Sequence, residues 1–215
     1  MRKIKRFKVP VYYKDLLRRL SRAPLNRESA GLSDDAAARE YISCLAGKMD
    51  SGVVFDTFED NFPEAAQAAL RSGKVFSVCF VTLGKEIGNA VAAIANPDEK
   101  HAAALIACGF FDNAVSFVLE LMQEEAARDT FELADMEVIA SPLLEDGSPV
   151  APLLPRFLRD GARLSRENSQ SLLPLAFEKL NAAKIGVELI PDGALYPPLS
   201  AAFLVPWITK KRHKK

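Results

Sequence analysis

The sequence predicts an α+β protein, and three observations carry that prediction. Segments with helical apolar spacing and segments rich in β-branched and aromatic residues both occur. They follow one another in irregular order, without the regular strand–helix alternation of a doubly wound parallel sheet. The chain has 215 residues, 49% apolar and 26% charged, which is enough for a sizeable buried core and too apolar for a mostly disordered polypeptide.

After a short extended start, Leu16, Leu17 and Leu20 fall on one side of a helix expected over residues 14–22, which Pro24 ends. Residues 23–32 read as a polar connector. An alanine-rich run closing at Gly47 predicts a second helix over 34–46. Ser33 is its expected N-cap, Asp34 and Asp35 suit the positive end of its dipole, and Gly47 suits its C-cap. Residues 53–58 are β-rich and predict a strand, followed by a helix over 63–71 that Ser72-Gly73 stops. Residues 75–82 form the strongest strand signal. They are apolar nearly throughout, so this strand is expected to lie centrally with both faces covered. Leu83-Gly84 then turns into a helix over 85–95, ended by Asn96-Pro97.

The next helix, 98–127, is long. Leu105, Cys108, Phe111, Val115, Val118 and Met122 recur at spacings of three and four and form a core-facing stripe. Asp112, Ser116, Glu120 and Gln123 fall on another face. Within the most apolar stretch, 102–119, Asp112 and Asn113 near the middle argue against a bilayer crossing, and a soluble protein is expected. A short strand over 136–140 leads into an irregular loop, 141–155, which holds four prolines. A helix over 171–183, a strand over 184–190 and turns at Pro191-Asp192-Gly193 and Pro197-Pro198 follow. The last strand, 201–208, contains Pro206, which places it at a sheet edge.

Twenty-eight basic and 28 acidic residues give a formal net charge of zero, but the charges are segregated. Residues 1–22 hold nine bases against Asp15 alone, a net of +8; the tail 210–215 adds +5; the body between them carries −13. Nucleic-acid binders spread their bases over a folded face, so these basic ends read as solvated, partly frayed termini, and nucleic acid is not an expected partner. Cys44, Cys79 and Cys108 are widely spaced, lie in apolar runs and form no CxxC pair, which reads as three buried small hydrophobes in a reducing compartment. With two histidines there are too few soft ligands for zinc, and His101 reads as a surface residue. The basic start leads into Val9-Pro10-Val11-Tyr12-Tyr13, not a long apolar core, so no secretory leader is expected.

No phosphate-loop, GxGxxG, HExxH or GxSxG pattern occurs. Thr82-Leu83-Gly84 ahead of a helix is the nearest approach to an anion-binding turn, but it reads first as an ordinary strand-to-helix turn. No catalytic nucleophile is expected, and Trp207 beside Pro206 reads as structural.

The C-terminal part carries a resemblance. Ser171-Leu172-Leu173-Pro174-Leu175-Ala176-Phe177-Glu178-Lys179-Leu180 running into Lys184-Ile185-Gly186-Val187-Glu188-Leu189, then Leu195-Tyr196-Pro197-Pro198-Leu199-Ser200, resembles the helix, "KIGV-L" strand and "P-x-x-S" segment of the activation domain of cobalamin-dependent methionine synthase and of its small stand-alone relatives. Val81-Thr82-Leu83-Gly84-Lys85-Glu86-Ile87 is similar to the strand and "T-x-G" turn of those relatives, and a long helix follows there too; the order agrees over about residues 50–205. The resemblance implies a twisted, mainly antiparallel sheet with helices packed on it. It divides the chain into a basic helical segment packed on the core (1–49), an activation-domain-like core (50–209) and a basic tail (210–215). It also implies a shallow groove for S-adenosylmethionine, cobalamin held only on a partner protein, and a cytoplasmic accessory to a cobalamin- or corrinoid-dependent methyltransferase, with a homodimer as a further possible assembly.

The family's R-x-x-x-G-Y ligand motif matches Arg163-Leu164-Ser165-Arg166-Glu167-Asn168, with Arg163 and Ser165 in place, Glu167 at the glycine position and Asn168 at the tyrosine position. The departure removes a tight backbone approach and one ligand contact. The resemblance thus implies a groove formed by Arg163, Ser165, Asn168, Tyr196, Pro197 and Ser200, with the Arg163 guanidinium on the ligand carboxylate. Two alternatives stand beside it. Arg163 also reads as a surface arginine ahead of a helix and residues 197–200 as a turn with a structural hydroxyl, and the whole scaffold also reads as a partner-binding module whose ligand site has decayed.

Overall fold

A seven-stranded sheet runs through the protein, and helices cover both of its faces. The computed structural model describes residues 2–5, 7–59, 75–144, 155–160, 162–191 and 194–209. The helix expected over 63–71, most of the loop over 141–155, the Asp192-Gly193 turn and the basic tail lie outside the described residues. The elements are β1 (Arg2–Lys5), α1 (Tyr13–Arg22), α2 (Asp35–Ala46), β2 (Gly52–Phe58), β3 (Val75–Thr82), α3 (Lys85–Ala92), α4 (Pro97–Arg128), β4 (Phe131–Leu133), β5 (Glu137–Ala140), α5 (Arg156–Asp160), β6 (Ala162–Arg163), α6 (Arg166–Leu180), β7 (Glu188–Leu189), β8 (Leu195–Tyr196) and β9 (Ser200–Thr209). Sheet order is β1-β2-β3-β9-β5-β6, with β4 also on β9. Every described pairing in it is antiparallel except β5–β6. The fold is α+β, as the sequence predicts.

Period-two alternation assigns the sheet's side chains to two cores. Val53, Phe55, Cys79, Val81, Phe203 and Val205 face a core built with α1, α2, α3 and the central helix α4. Val54, Phe76, Val78, Phe80, Ala202 and Leu204 face a second core under α6, which contributes Leu172, Leu173, Ala176 and Leu180. This is why β3 reads as a continuous apolar run: it pairs with β2 and β9 and is packed on both faces. By length and apolarity α4 is able to cross a membrane, but 72% of its most apolar window is buried inside the fold, which makes it a core-packing helix. Asn96 caps it by accepting from the Asp98 and Glu99 amides, with Pro97 at the first helical position.

Several expectations change. Asp34, not Ser33, caps α2, because its carboxylate accepts from both Ala36 and Ala37 amides at 2.8 Å. Gly47 is the C-cap, as expected, and takes a right-handed conformation. The strand expected over 184–190 shrinks to β7, which pairs only with β8; a 3-10 turn over Ala182–Ile185 precedes it and Gly186 at φ +82° turns the chain. β9 is not an edge strand, since β3 flanks it on one side and β4 and β5 on the other. Pro206 is tolerated because its carbonyl accepts from Ala134, so its nitrogen faces the break between β4 and β5. The basic start is not frayed: β1 extends the sheet beside β2, Arg2 pairs with Glu125, and Phe7 stacks on Phe117 at 5.2 Å. Cys79 and Cys108 are buried as expected, whereas Cys44 is exposed.

Candidate functional site

The R-x-x-x-G-Y-like stretch folds as a strand end, a cap and a helix start. Arg163 lies opposite Val138 on β6, the outermost strand, and the next residue, Leu164, donates to the Val138 carbonyl at 3.1 Å. Ser165 caps α6: its hydroxyl accepts from the Asn168 amide at 3.3 Å, and its carbonyl accepts from Ser169 at 2.9 Å. Arg163 is exposed and makes no ion pair among the described residues. The N–H groups of Arg166 and Glu167 lie in the first turn, where the helix ladder offers no acceptor. An exposed guanidinium therefore stands just ahead of a helix N-terminus, an arrangement whose field favours a carboxylate. Glu167, in that same turn, contributes a negative charge of its own.

The second half of the expected groove is packed differently. Tyr196 is half-buried on β8 and Pro197 is buried. Ser200 is fully buried at the start of β9 and donates its hydroxyl to Thr82 Oγ1 at 2.9 Å, while its carbonyl accepts from the Ser141 hydroxyl at 2.9 Å. Leu199 accepts from the Leu83 amide at 3.0 Å, and Pro198 rests on Gly88. Leu199 and Ser200 thus lie against the Thr82-Leu83-Gly84 turn, which the sequence singled out separately, and Pro198 against the helix that follows it. That turn is filled. Thr82 Oγ1 accepts from the Gly84 amide at 3.0 Å, and the Asp50 amide donates to the Leu83 carbonyl at 3.0 Å. Gly84 sits at φ +82°, and a Cβ there would come within 2.9 Å of the Asp50 carbonyl.

Arg163 and Ser200 are separated by the sheet itself. Arg163 lies opposite Val138 and Val138 opposite Phe203. Ser200 is therefore two strands across and three residues along, about 10 Å in each direction. Surface clefts among the described residues include one of about 660 Å³ beside the C-terminal half of α4, one of about 600 Å³ between residues 50–52 and 183–186, and one of about 290 Å³ around Arg2 and Asp56. None of the six expected groove residues lines any of these three.

The sequence reading missed one charged constellation altogether. Asp112 falls off the core-facing stripe of α4, on the face it shares with Ser116, Glu120 and Gln123, yet it is only 8% exposed. Its carboxylate accepts from Arg19 Nη1 at 2.8 Å and from the Phe157 amide at 3.4 Å, and Arg19 also contacts Asp15. Burial raises the Asp112 carboxyl above the usual range, while Arg19 and the α5 amides pull it down. Burial lowers the Arg19 guanidinium, but the two aspartates outweigh it and leave Arg19 raised. Cys108, one turn away, is pushed up to about 12, first by burial and then by Asp112. The signal was an aspartate amid apolar residues on α4 and an arginine between two core leucines on α1. The arrangement is a clamp: the described partners of Asp112 tie α4 to α1 and α5, and none of them lines one of the three clefts above. Tyr41 donates to Glu99 at 3.2 Å, and burial followed by that carboxylate raises its phenol. Among the described residues no group of three or more His, Cys, Asp or Glu is placed to hold a metal ion.

No protein-family model matches the chain, and no curated protein matches it. Among solved structures the chain is similar to a crystal structure of the MetH reactivation domain bound to AdoHcy, with 10% sequence identity and a TM-score of 0.48 over all of this chain and 79% of that one.

Proposed function

We propose that this protein is a stand-alone relative of the methionine synthase activation domain that holds S-adenosylmethionine by its carboxylate at Arg163 and the start of α6, as a cytoplasmic accessory to a cobalamin- or corrinoid-dependent methyltransferase. The observation that carries the reading is the exposed Arg163 guanidinium, without an ion pair among the described residues, directly ahead of the Ser165-capped helix. The ordered sequence resemblance over residues 50–205 supports it. Cobalamin belongs to the partner, and the chemistry supplied with it is the reductive remethylation of the oxidised cofactor. This chain contributes no catalytic residue; its part is to place the sulfonium methyl group at short range from the partner's cobalt. Asn168, Tyr196, Pro197 and Ser200 complete the proposed groove in this reading, with Ser165 organising the helix start and Ser200 the floor beneath Pro197.

Calorimetric titration and thermal shift with S-adenosylmethionine and S-adenosylhomocysteine test it. Ligand at about a hundred times its dissociation constant stabilises the folded chain by about 2.7 kcal/mol. Arg163→Ala should abolish the shift without changing the Tm of the free protein. No shift in the wild-type chain at millimolar ligand removes the ligand from the reading.

A second reading has its own observation. Glu167 occupies the glycine position inside a helical turn, the Asn168 amide is taken by Ser165, and the Ser200 hydroxyl is taken by Thr82. These favour a partner-binding module on the same scaffold with a decayed ligand site, which combines ligand silence with stable capture of a corrinoid protein or with self-association. A pull-down without a corrinoid protein, and a monomer in light scattering, would count against it.

A further inference from the structure

The largest of the three clefts lies away from Arg163, between the C-terminal half of α4 and the link from β4 to β5. Its floor is apolar: Leu119, Leu133 and Met136 line it and are only partly covered. Its rim is acidic. Glu120 and Glu124 stand one helical turn apart on α4, Asp135 joins them from the link, all three are exposed, and no Lys or Arg among the described residues lines the cleft. None of these three carboxylates makes a hydrogen bond or ion pair among the described residues. Their neighbour Glu125, by contrast, already holds Arg2.

We infer that this cleft is a docking site for a basic peptide segment of a partner protein, one that presents Lys or Arg on either side of an aliphatic or aromatic side chain. Charge complementarity and the apolar floor select that occupant together. Three uncompensated carboxylates raise the local affinity for cations and steer them inward. They do not converge in a metal-binding arrangement among the described residues, so the matching charge must be spread over several ångströms as well. The half-exposed floor requires an apolar group between those charges. Recognition works through side chains and not by adding a strand, because the outward Leu133 amide of β4 already donates to Gln123 Oε1 at 3.3 Å. The inference does not depend on the S-adenosylmethionine reading, since no residue is shared.

The test is fluorescence polarisation of the full chain with a fluorescein-labelled synthetic peptide in which two Arg-Lys pairs flank a single Phe. Saturable binding is expected, weakening as salt rises. The triple substitution Glu120→Gln, Glu124→Gln and Asp135→Asn should weaken it about tenfold or more. Replacing the peptide's Phe with Ser should weaken binding as well. Glu86→Gln with Glu178→Gln, exposed carboxylates on α3 and α6, should leave it unchanged, and circular dichroism confirms that each variant is folded. Absence of binding at millimolar peptide, or equal affinity in the triple variant, overturns the inference. A wild-type dimer in sedimentation that the triple variant dissociates also overturns it, by giving the cleft to a second copy.

Discussion

Asp112 joins three elements through one carboxylate: α4 carries it, α1 supplies Arg19, and the start of α5 supplies the Phe157 amide. Asp112→Asn keeps the shape but leaves one accepting oxygen where the carboxylate uses two, one for Arg19 and one for the Phe157 amide. A loss of about 1–3 kcal/mol in urea unfolding is expected. The pH dependence has a definite sign. Because burial raises the carboxyl in the folded chain, the folded state binds that proton more tightly than the unfolded chain does. Stability from this group is therefore fully present below the ordinary carboxylate value of about 3.9 and falls as pH rises through the raised folded value. The wild-type advantage over Asp112→Asn should grow as pH is lowered from neutral towards that value; a flat or opposite trend would mean that Arg19 outweighs burial. The cysteines give a second residue-scale outcome. Cys44 is exposed, whereas burial raises Cys79 well above the normal thiol range and Cys108 to about 12. Mass spectrometry after brief alkylation at mildly alkaline pH should find Cys44 alone modified in the native chain, and all three thiols modified only in denaturant.

At the scale of elements, two glycines set how closely segments approach. A Cβ on Gly109 would lie 2.4 Å from Cδ2 of the buried Leu16, so this glycine lets α1 pack tightly on α4. Gly109→Ala improves helix propensity by about 1 kcal/mol but forces Leu16 out of its packing, for a net loss of about 1–2 kcal/mol. Combining it with Leu16→Ala should cost less than the sum of the single changes, because the truncated side chain makes room for the new methyl. Gly84→Ala meets backbone instead, the Asp50 carbonyl, at a positive φ, and should cost at least about 2 kcal/mol in the same measurement. Element by element, legibility follows the locality of the signal. β3, α1, α3 and α4 were readable because their apolar period is set within each segment. α6 begins five residues before the expected start: Ser165 is a usable cap, but Pro174, exposed in the helix interior, masks it. Pro206 pointed to an edge, yet β9 is central, because what proline needs is one missing ladder partner, and the gap between β4 and β5 provides it. Of the expected groove, the Ser165 cap and the Thr82–Ser200 contact rest on the singled-out residues, but the distance between the two halves depends on strand order, which no local pattern encodes.

Across the whole molecule, the sheet threads both ends of the chain together: β1 starts at Arg2, β9 ends at Thr209, and β2 and β3 lie between them. Unfolding one part removes a pairing or a packed face from another. A single cooperative transition is therefore expected, with coincident curves from far-UV circular dichroism and from fluorescence of Trp207, the sole tryptophan, buried with its indole N–H on Ser77 at 3.0 Å. A separate early transition would show that the N-terminal segment folds as its own unit. The segregated charge acquires a different meaning in three dimensions. Part of the basic start, Arg2, is drawn onto the acidic flank of α4, while the next acidic patch along that helix, at Glu120 and Glu124, has no such counterpart among the described residues. By itself the sequence determined the α+β class, the doubly covered central strand, the long core helix and most helix ends, because apolar periodicity and capping act within a few residues. Only the tertiary structure decided that Asp112 is buried against Arg19, that β9 is central, that Ser200 faces the interior and that Arg163 is exposed, because each depends on which distant segment supplies the neighbour.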